Sequence, residues 1–132
     1  MTDLPAGPRF PSLSPLLRLA FIGSVATVIF LCLLPGRDLP DVGLSDKLEH
    51  VIAYVGMALL GGLAYPGWRP LLWLALGLPA LGIAIEFCQL FVPGRSAEVA
   101  DAVADTIGVA IGLLLVPLAR LVLDLIVRRA RS

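Results

Sequence analysis

The chain has 132 residues, 58% of them hydrophobic and only 15% charged, with a mean hydropathy of +0.94. A soluble domain is about half apolar and roughly a quarter charged, and here the apolar residues fall in blocks too long for a soluble core. The reading is a small polytopic membrane protein without a separate soluble domain. Ten basic and ten acidic residues cancel, so only their placement is informative. No basic run interleaved with aromatics suggests nucleic acid.

Residues 1–15 are rich in Pro and Ser, lack periodicity and are expected to form a flexible tail. The first apolar block, about 16–34, is long enough to span a bilayer. Arg9 and Arg18 give it the basic start of a signal peptide. It is longer than an h-region of about 7–15 residues, however, and no small-x-small cleavage site follows. Ile29, Phe30 and Leu31 lack the small residue that a lipoprotein cleavage site needs before Cys32. A retained helix is expected.

Pro35-Gly36 ends that block, and a polar loop with Pro40 and Gly43 follows. The second block covers about 47–65, with Ser45 or Asp46 as N-cap. Pro66-Gly67 turns the chain into a third block at about 68–91, where Pro79 removes a backbone donor and kinks the helix. Pro93-Gly94 ends it. The fourth block covers about 102–127 and contains Pro117; residues 128–132 form a basic tail. Cys32 and Cys88 both lie in apolar segments and are expected to stay unpaired.

The expected fold class is therefore all-α: a four-helix transmembrane bundle. With both termini cytoplasmic, seven basic residues (Arg9, Arg18, Arg69, Arg120, Arg128, Arg129, Arg131) lie inside and three (Arg37, Lys47, Arg95) outside. This bias predicts an N-in/C-in, multi-pass protein of the cell membrane. Trp68 and Trp73 then fall near the cytoplasmic boundary.

The polar residues gather at the other end. Asp46, His50 and Tyr54 share a face of helix two, with Lys47 beside it. Glu86 and Gln89 share a face of helix three; Asp101, Asp105, Gly108 and Gly112 share one of helix four. At about 1.5 Å rise per residue, His50 lies one turn below Asp46 and Asp105 one turn below Asp101. Matching depths predict one pocket of His50, Glu86, Gln89 and Asp105, roofed by Lys47, Arg95 and Asp101. Gly108-x-x-x-Gly112 is expected to let helix four approach a neighbour closely.

The segments SDKLEHVIAY (Ser45–Tyr54) and IEFCQLFVPGRSAEVADAVADTIG (Ile85–Gly108) resemble the two signature stretches of the VanZ-like family. These are small bacterial membrane proteins named for a member linked to teicoplanin resistance. The resemblance rests on Asp-Lys-x-x-His-x-x-x-Tyr, Glu-x-x-Gln-x-x-x-Pro-x-Arg and Asp-x-x-x-Asp-x-x-Gly in that order, over roughly 44–112. The family usually has Asn where this chain has Asp105. That extra negative charge must meet a cation, a proton or a metal. The resemblance implies an envelope membrane protein and no settled reaction.

The candidate ligand-binding residues are Asp46, Lys47, His50, Tyr54, Glu86, Gln89, Arg95, Asp101 and Asp105. Asp46 is also read as a helix cap or a partner of Arg95 across the loops, and His50 as a plain interhelical hydrogen-bonding residue. Partners expected are membrane lipids and an anionic head group, a cell-wall precursor or a lipophilic glycopeptide antibiotic, gripped by Lys47 and Arg95. The alternative is an intramembrane enzyme acting on a lipid-linked substrate, with His50 and Glu86 as acid/base partners. A proton-coupled transporter ranks last, because the other halves of the helices offer almost no polar path. No cofactor and no metal site are assigned; a lone His rules out a His-rich zinc site, while a His/carboxylate site stays open. Nucleophilic catalysis is disfavoured: nothing sets a base beside Ser96, and Cys88 lies next to Phe87 on an apolar helix.

Overall fold

The computed structural model describes residues 13–39 and 41–130. It contains four long helices: α1 (Ser14–Cys32), α2 (Asp46–Ala64), α3 (Trp68–Gln89) and α4 (Val99–Ala130). A single 3-10 turn (Gly36–Asp38) interrupts the loop after α1. All four helices are long and apolar enough to cross a membrane. Most of the expected N-terminal tail, with Pro40, Arg131 and Ser132, lies outside the described residues.

The helix ends follow local chemistry. Pro15 stands in the first turn of α1, where its missing N–H matters least, so α1 starts at Ser14 rather than Leu16. Ser45 caps α2: its backbone is extended and its side chain accepts from Leu48 N. Gly67 enters α3 with φ 121°, a conformation open to glycine. Helix α4 is longer than expected at both ends. Asp101 falls in its first turn and Arg128 and Arg129 in its last, as the helix dipole favours. The Asp124–Arg128 pair (2.8 Å) extends it through the residues expected to form the tail.

Helices α2 and α4 form the closest pair. A Cβ placed on Gly108 would lie 2.6 Å from the Val51 carbonyl oxygen, and one on Gly112 would lie 2.6 Å from that of Val55. Further along, Gly62 meets Val116, and Arg120 donates to the Gly62 carbonyl at 2.6 Å. Rising numbers on one helix match rising numbers on the other, so the two run parallel. That is the relation between alternate helices of an up-and-down bundle. Helix α3 runs against both, with Leu74 at Gly61 and Gly82 at Asp105.

The core is a small apolar cluster of Tyr54, Met57, Ala58, Leu74, Leu78 and Val109. Helix α1 buries no residue fully, but Phe21, Val25 and Val28 lean on this cluster. It meets α3 only marginally, leaving an apolar groove of about 650 Å³ between them. At the Arg18 end of α1, that guanidinium lies 5.3 Å from the Tyr65 ring centroid and Arg69 lies 5.4 Å from that of Trp68. Trp68 and Trp73 are exposed there, as interfacial aromatics are expected to be.

The glycine seam carries a testable consequence. Gly112→Ala or Gly108→Ala forces the α2 and α4 backbones apart and should lower stability by about 1–3 kcal/mol in detergent unfolding. Gly23→Ala, where an added Cβ meets nothing within 4 Å, should leave stability unchanged or raise it.

Candidate functional site

The polar residues meet where the C-terminal ends of α1 and α3 adjoin the N-terminal ends of α2 and α4. Two loops are clasped there. Gly36 N donates to the Pro93 carbonyl at 3.2 Å. A Cβ on Gly36 would collide with the Gly94 carbonyl, and Gly94 itself has φ 75°. Glycine is required at both positions for this approach.

Each buried polar side chain of the cluster ties two elements together. His50 Nδ1 lies 2.8 Å from Asp105 Oδ1, joining α2 to α4. Both residues are buried, at 7% and 1% exposure. Their pairing answers what Asp105 must find in an apolar bundle, since an unpaired buried carboxylate is strongly disfavoured. Room for that carboxylate comes from Gly82: a Cβ there would overlap Asp105 Oδ2. Glu86 Oε2 accepts from Glu98 N at 2.8 Å, fastening α3 to the loop before α4. Gln89 Nε2 donates to the Cys32 carbonyl at 3.0 Å. It thereby satisfies one of the orphan carbonyls at the end of α1.

Lys47 closes the top. Its Nζ lies 2.7 Å from Glu98 Oε2 and 3.2 Å from Asp101 Oδ1. The hydrogen bond from Lys47, together with its charge, holds the Glu98 carboxyl below the usual carboxylate range. His50, Glu86, Gln89 and Asp105 thus lie at the same end of the bundle as Lys47, Arg95 and Asp101, but as buried cross-links; of the seven, only His50 and Arg95 line the cavity found there. Among the described residues no ion pair joins Arg95 to Asp46. His50 pairs with Asp105.

Beside the cluster lies a cavity of about 590 Å³, bounded by α1, the loop after it, α2 and Arg95. Its lining mixes apolar side chains such as Val28, Leu31 and Ile52 with the polar Asp41, Asp46, Glu49, His50, Tyr54 and Arg95. Among the described residues, the buried Arg95 Nε has no hydrogen-bond partner, and the Tyr54 hydroxyl, although it lies near Asp105, makes no well-formed hydrogen bond. Glu86 Oε1 likewise has no hydrogen-bond partner among them.

The sequence reading missed Glu98, Asp41, Glu49 and Gly82. Asp41 and Glu98 sit in irregular loops, where periodicity gives no facing. Gly82 carries no chemistry of its own, and its role shows only against Asp105. Cys32 and Cys88 are both free, as expected.

A family model described as VanZ/LLP1 matches residues 10–120. The chain belongs to the VanZ/LLP1 family. The match spans α1 to α3 and most of α4, including every residue of the polar cluster. Neither a search of curated proteins nor a search of solved structures finds a match. In this VanZ/LLP1 chain the residues of the three motifs turn out to be the cross-links of one end of the bundle: Lys47 to Asp101, His50 to Asp105, Glu86 to the α3–α4 loop and Gln89 to α1.

Gln89→Leu strands the Cys32 carbonyl and should cost about 1–3 kcal/mol of stability. The local signature is faster thiol labelling of half-buried Cys32, while exposed Cys88 labels at the wild-type rate.

Proposed function

We propose that this VanZ/LLP1 protein is a multi-pass protein of the bacterial cell membrane that holds the head group of an envelope amphiphile in the cavity beside α2. In this reading the polar end faces outward, as the Arg and Lys bias predicts, and both termini are cytoplasmic. The observation that carries it is a pair of polar groups on one cavity, the buried Arg95 Nε and the Tyr54 hydroxyl, neither of which makes a well-formed hydrogen bond among the described residues. A buried polar atom without a partner costs roughly 1–3 kcal/mol, and a ligand that hydrogen-bonds both removes that cost. The guanidinium suits a phosphate or carboxylate. The apolar part of the lining suits the start of a lipid chain. The volume is that of an ordinary small-molecule site.

The ligand classes that fit are an anionic lipid head group, a lipid-linked cell-wall precursor or a lipophilic glycopeptide such as teicoplanin, the last giving a role in antibiotic resistance. Asp41, Asp46 and Glu49 refine the choice. The ligand also presents hydrogen-bond donors or a cationic group opposite its anion. Lys47 serves as a fastener, since Glu98 and Asp101 already take its charge.

A second reading, an intramembrane enzyme, is favoured by one observation. The His50–Asp105 pair has the form of a histidine oriented by a buried carboxylate, which is how a general base is held in place. Glu86 would then be the acid partner.

The test is thermal unfolding and native mass spectrometry of detergent-purified protein with phosphatidylglycerol, phosphatidylethanolamine, a polyprenyl-linked cell-wall precursor and a lipoglycopeptide. One class should stabilise the wild type, by about 2.7 kcal/mol at a hundredfold excess over Kd. Tyr54→Phe should lose most of that gain while melting no earlier than wild type without ligand. If no class stabilises the wild type, the binding reading fails; a chemically altered lipid recovered after incubation would favour the enzyme.

A further inference from the structure

Three groups with metal-ligand chemistry converge at the seam of α2 and α4. A ring nitrogen of His50 and one carboxylate oxygen each from Asp46 and Asp101 all lie within 4.8 Å of one another. His50 and Asp101 are buried, at 7% and 2% exposure, and Asp46 is exposed. The set has two donors fixed by packing and one at its mouth.

Two further observations point to a cation there. The His50 Nδ1 is occupied by Asp105 at 2.8 Å, which leaves Nε2 as the free nitrogen. A carboxylate behind the imidazole is the usual support of a metal-bound histidine. Separately, the buried Glu86 carboxylate keeps one oxygen without a hydrogen-bond partner among the described residues. It stands in the electrostatic field of His50, Asp101 and Asp105. Glu86 is not one of the three converging donors; it adds an acidic group to the same end of the bundle.

We propose that Asp46, His50 and Asp101 form a binding site for a divalent transition-metal ion. Two carboxylates and one imidazole match Zn²⁺ or Mn²⁺ better than Ca²⁺ or Mg²⁺, which prefer all-oxygen sets. Metal–donor distances of about 2.0–2.2 Å require the donors to close by roughly 1–1.5 Å, a movement within reach of the exposed Asp46 side chain. Lys47 is the competing cation, 3.2 Å from Asp101 Oδ1. It is half-exposed and also held by Glu98, so it can leave Asp101 without losing its other partner. The cavity is lined by Asp46 and His50, so an ion here would add positive charge beside Arg95. Metal binding does not depend on the head-group reading and is measured without any added amphiphile.

Full-length protein in detergent, stripped with a chelator, is titrated with Mn²⁺ and Zn²⁺ by isothermal calorimetry and, for Mn²⁺, by electron paramagnetic resonance. One ion per chain is expected. Asp46→Asn lies at an exposed position and keeps the fold; it should weaken binding by about a hundredfold or more, at or beyond the upper end of what loss of a supporting residue costs. His50→Gln should weaken it as much or more. Lys47→Gln removes the competitor and should bind at least as tightly as wild type. Asp124→Asn, at the far end of α4, should bind like wild type. The proposal is overturned if the wild type binds neither ion below about 1 mM, or if Asp46→Asn binds as well as wild type.

Discussion

A carboxylate one turn inside a membrane helix has no water to solvate it. It must be matched by a partner or take up a proton. Asp105 meets that constraint through His50, and the consequences spread outward. The pair fixes the register of α2 on α4, because His50 reaches Asp105 only when Val51 and Val55 lie over Gly108 and Gly112. It also shapes α3, which must carry Gly82 where the Asp105 carboxylate passes. With those three helices set, Glu86 and Gln89 come to the end of α3 at the height of the loop before α4 and the last turn of α1.

The division of labour among the polar groups is uneven. Gln89, Lys47, Glu98 and one oxygen of Glu86 each join two elements. Tyr54 OH, Arg95 Nε and the other oxygen of Glu86 do not. A network built only for stability would leave few such orphans, since each subtracts from it. Tyr54 and Arg95 line the cavity, which is where the proposed ligand would meet them.

Much of this was legible in the amino-acid order. The Pro-Gly pairs delimited the helices to within a few residues. Counting turns from the helix ends put His50 and Asp105 at one depth, and the Gly108–Gly112 spacing announced a close helix contact. What escaped has physical reasons. The acceptor for Gln89 is the backbone carbonyl of Cys32, and backbone groups leave no mark in a sequence. Lys47 takes Glu98 because an exposed loop carries it there, outside any helical period. The cavity belongs to the loop after α1 as much as to the helices, so Asp41 joins it without a motif to signal it. The extra turn of α4 came from Asp124 and Arg128, which read in isolation as ordinary surface charges.

The central claim is that the His50–Asp105 pair organises the polar end of the bundle. A double-mutant cycle tests it most directly: His50→Leu, Asp105→Leu and the two together, each followed by reversible unfolding in detergent. Either single change should cost about 3–5 kcal/mol, because it leaves a buried polar or charged group alone. The double variant should recover a large share of that loss, giving a coupling energy of at least about 1.5 kcal/mol. Additive losses, with coupling below about 0.5 kcal/mol, would contradict the account.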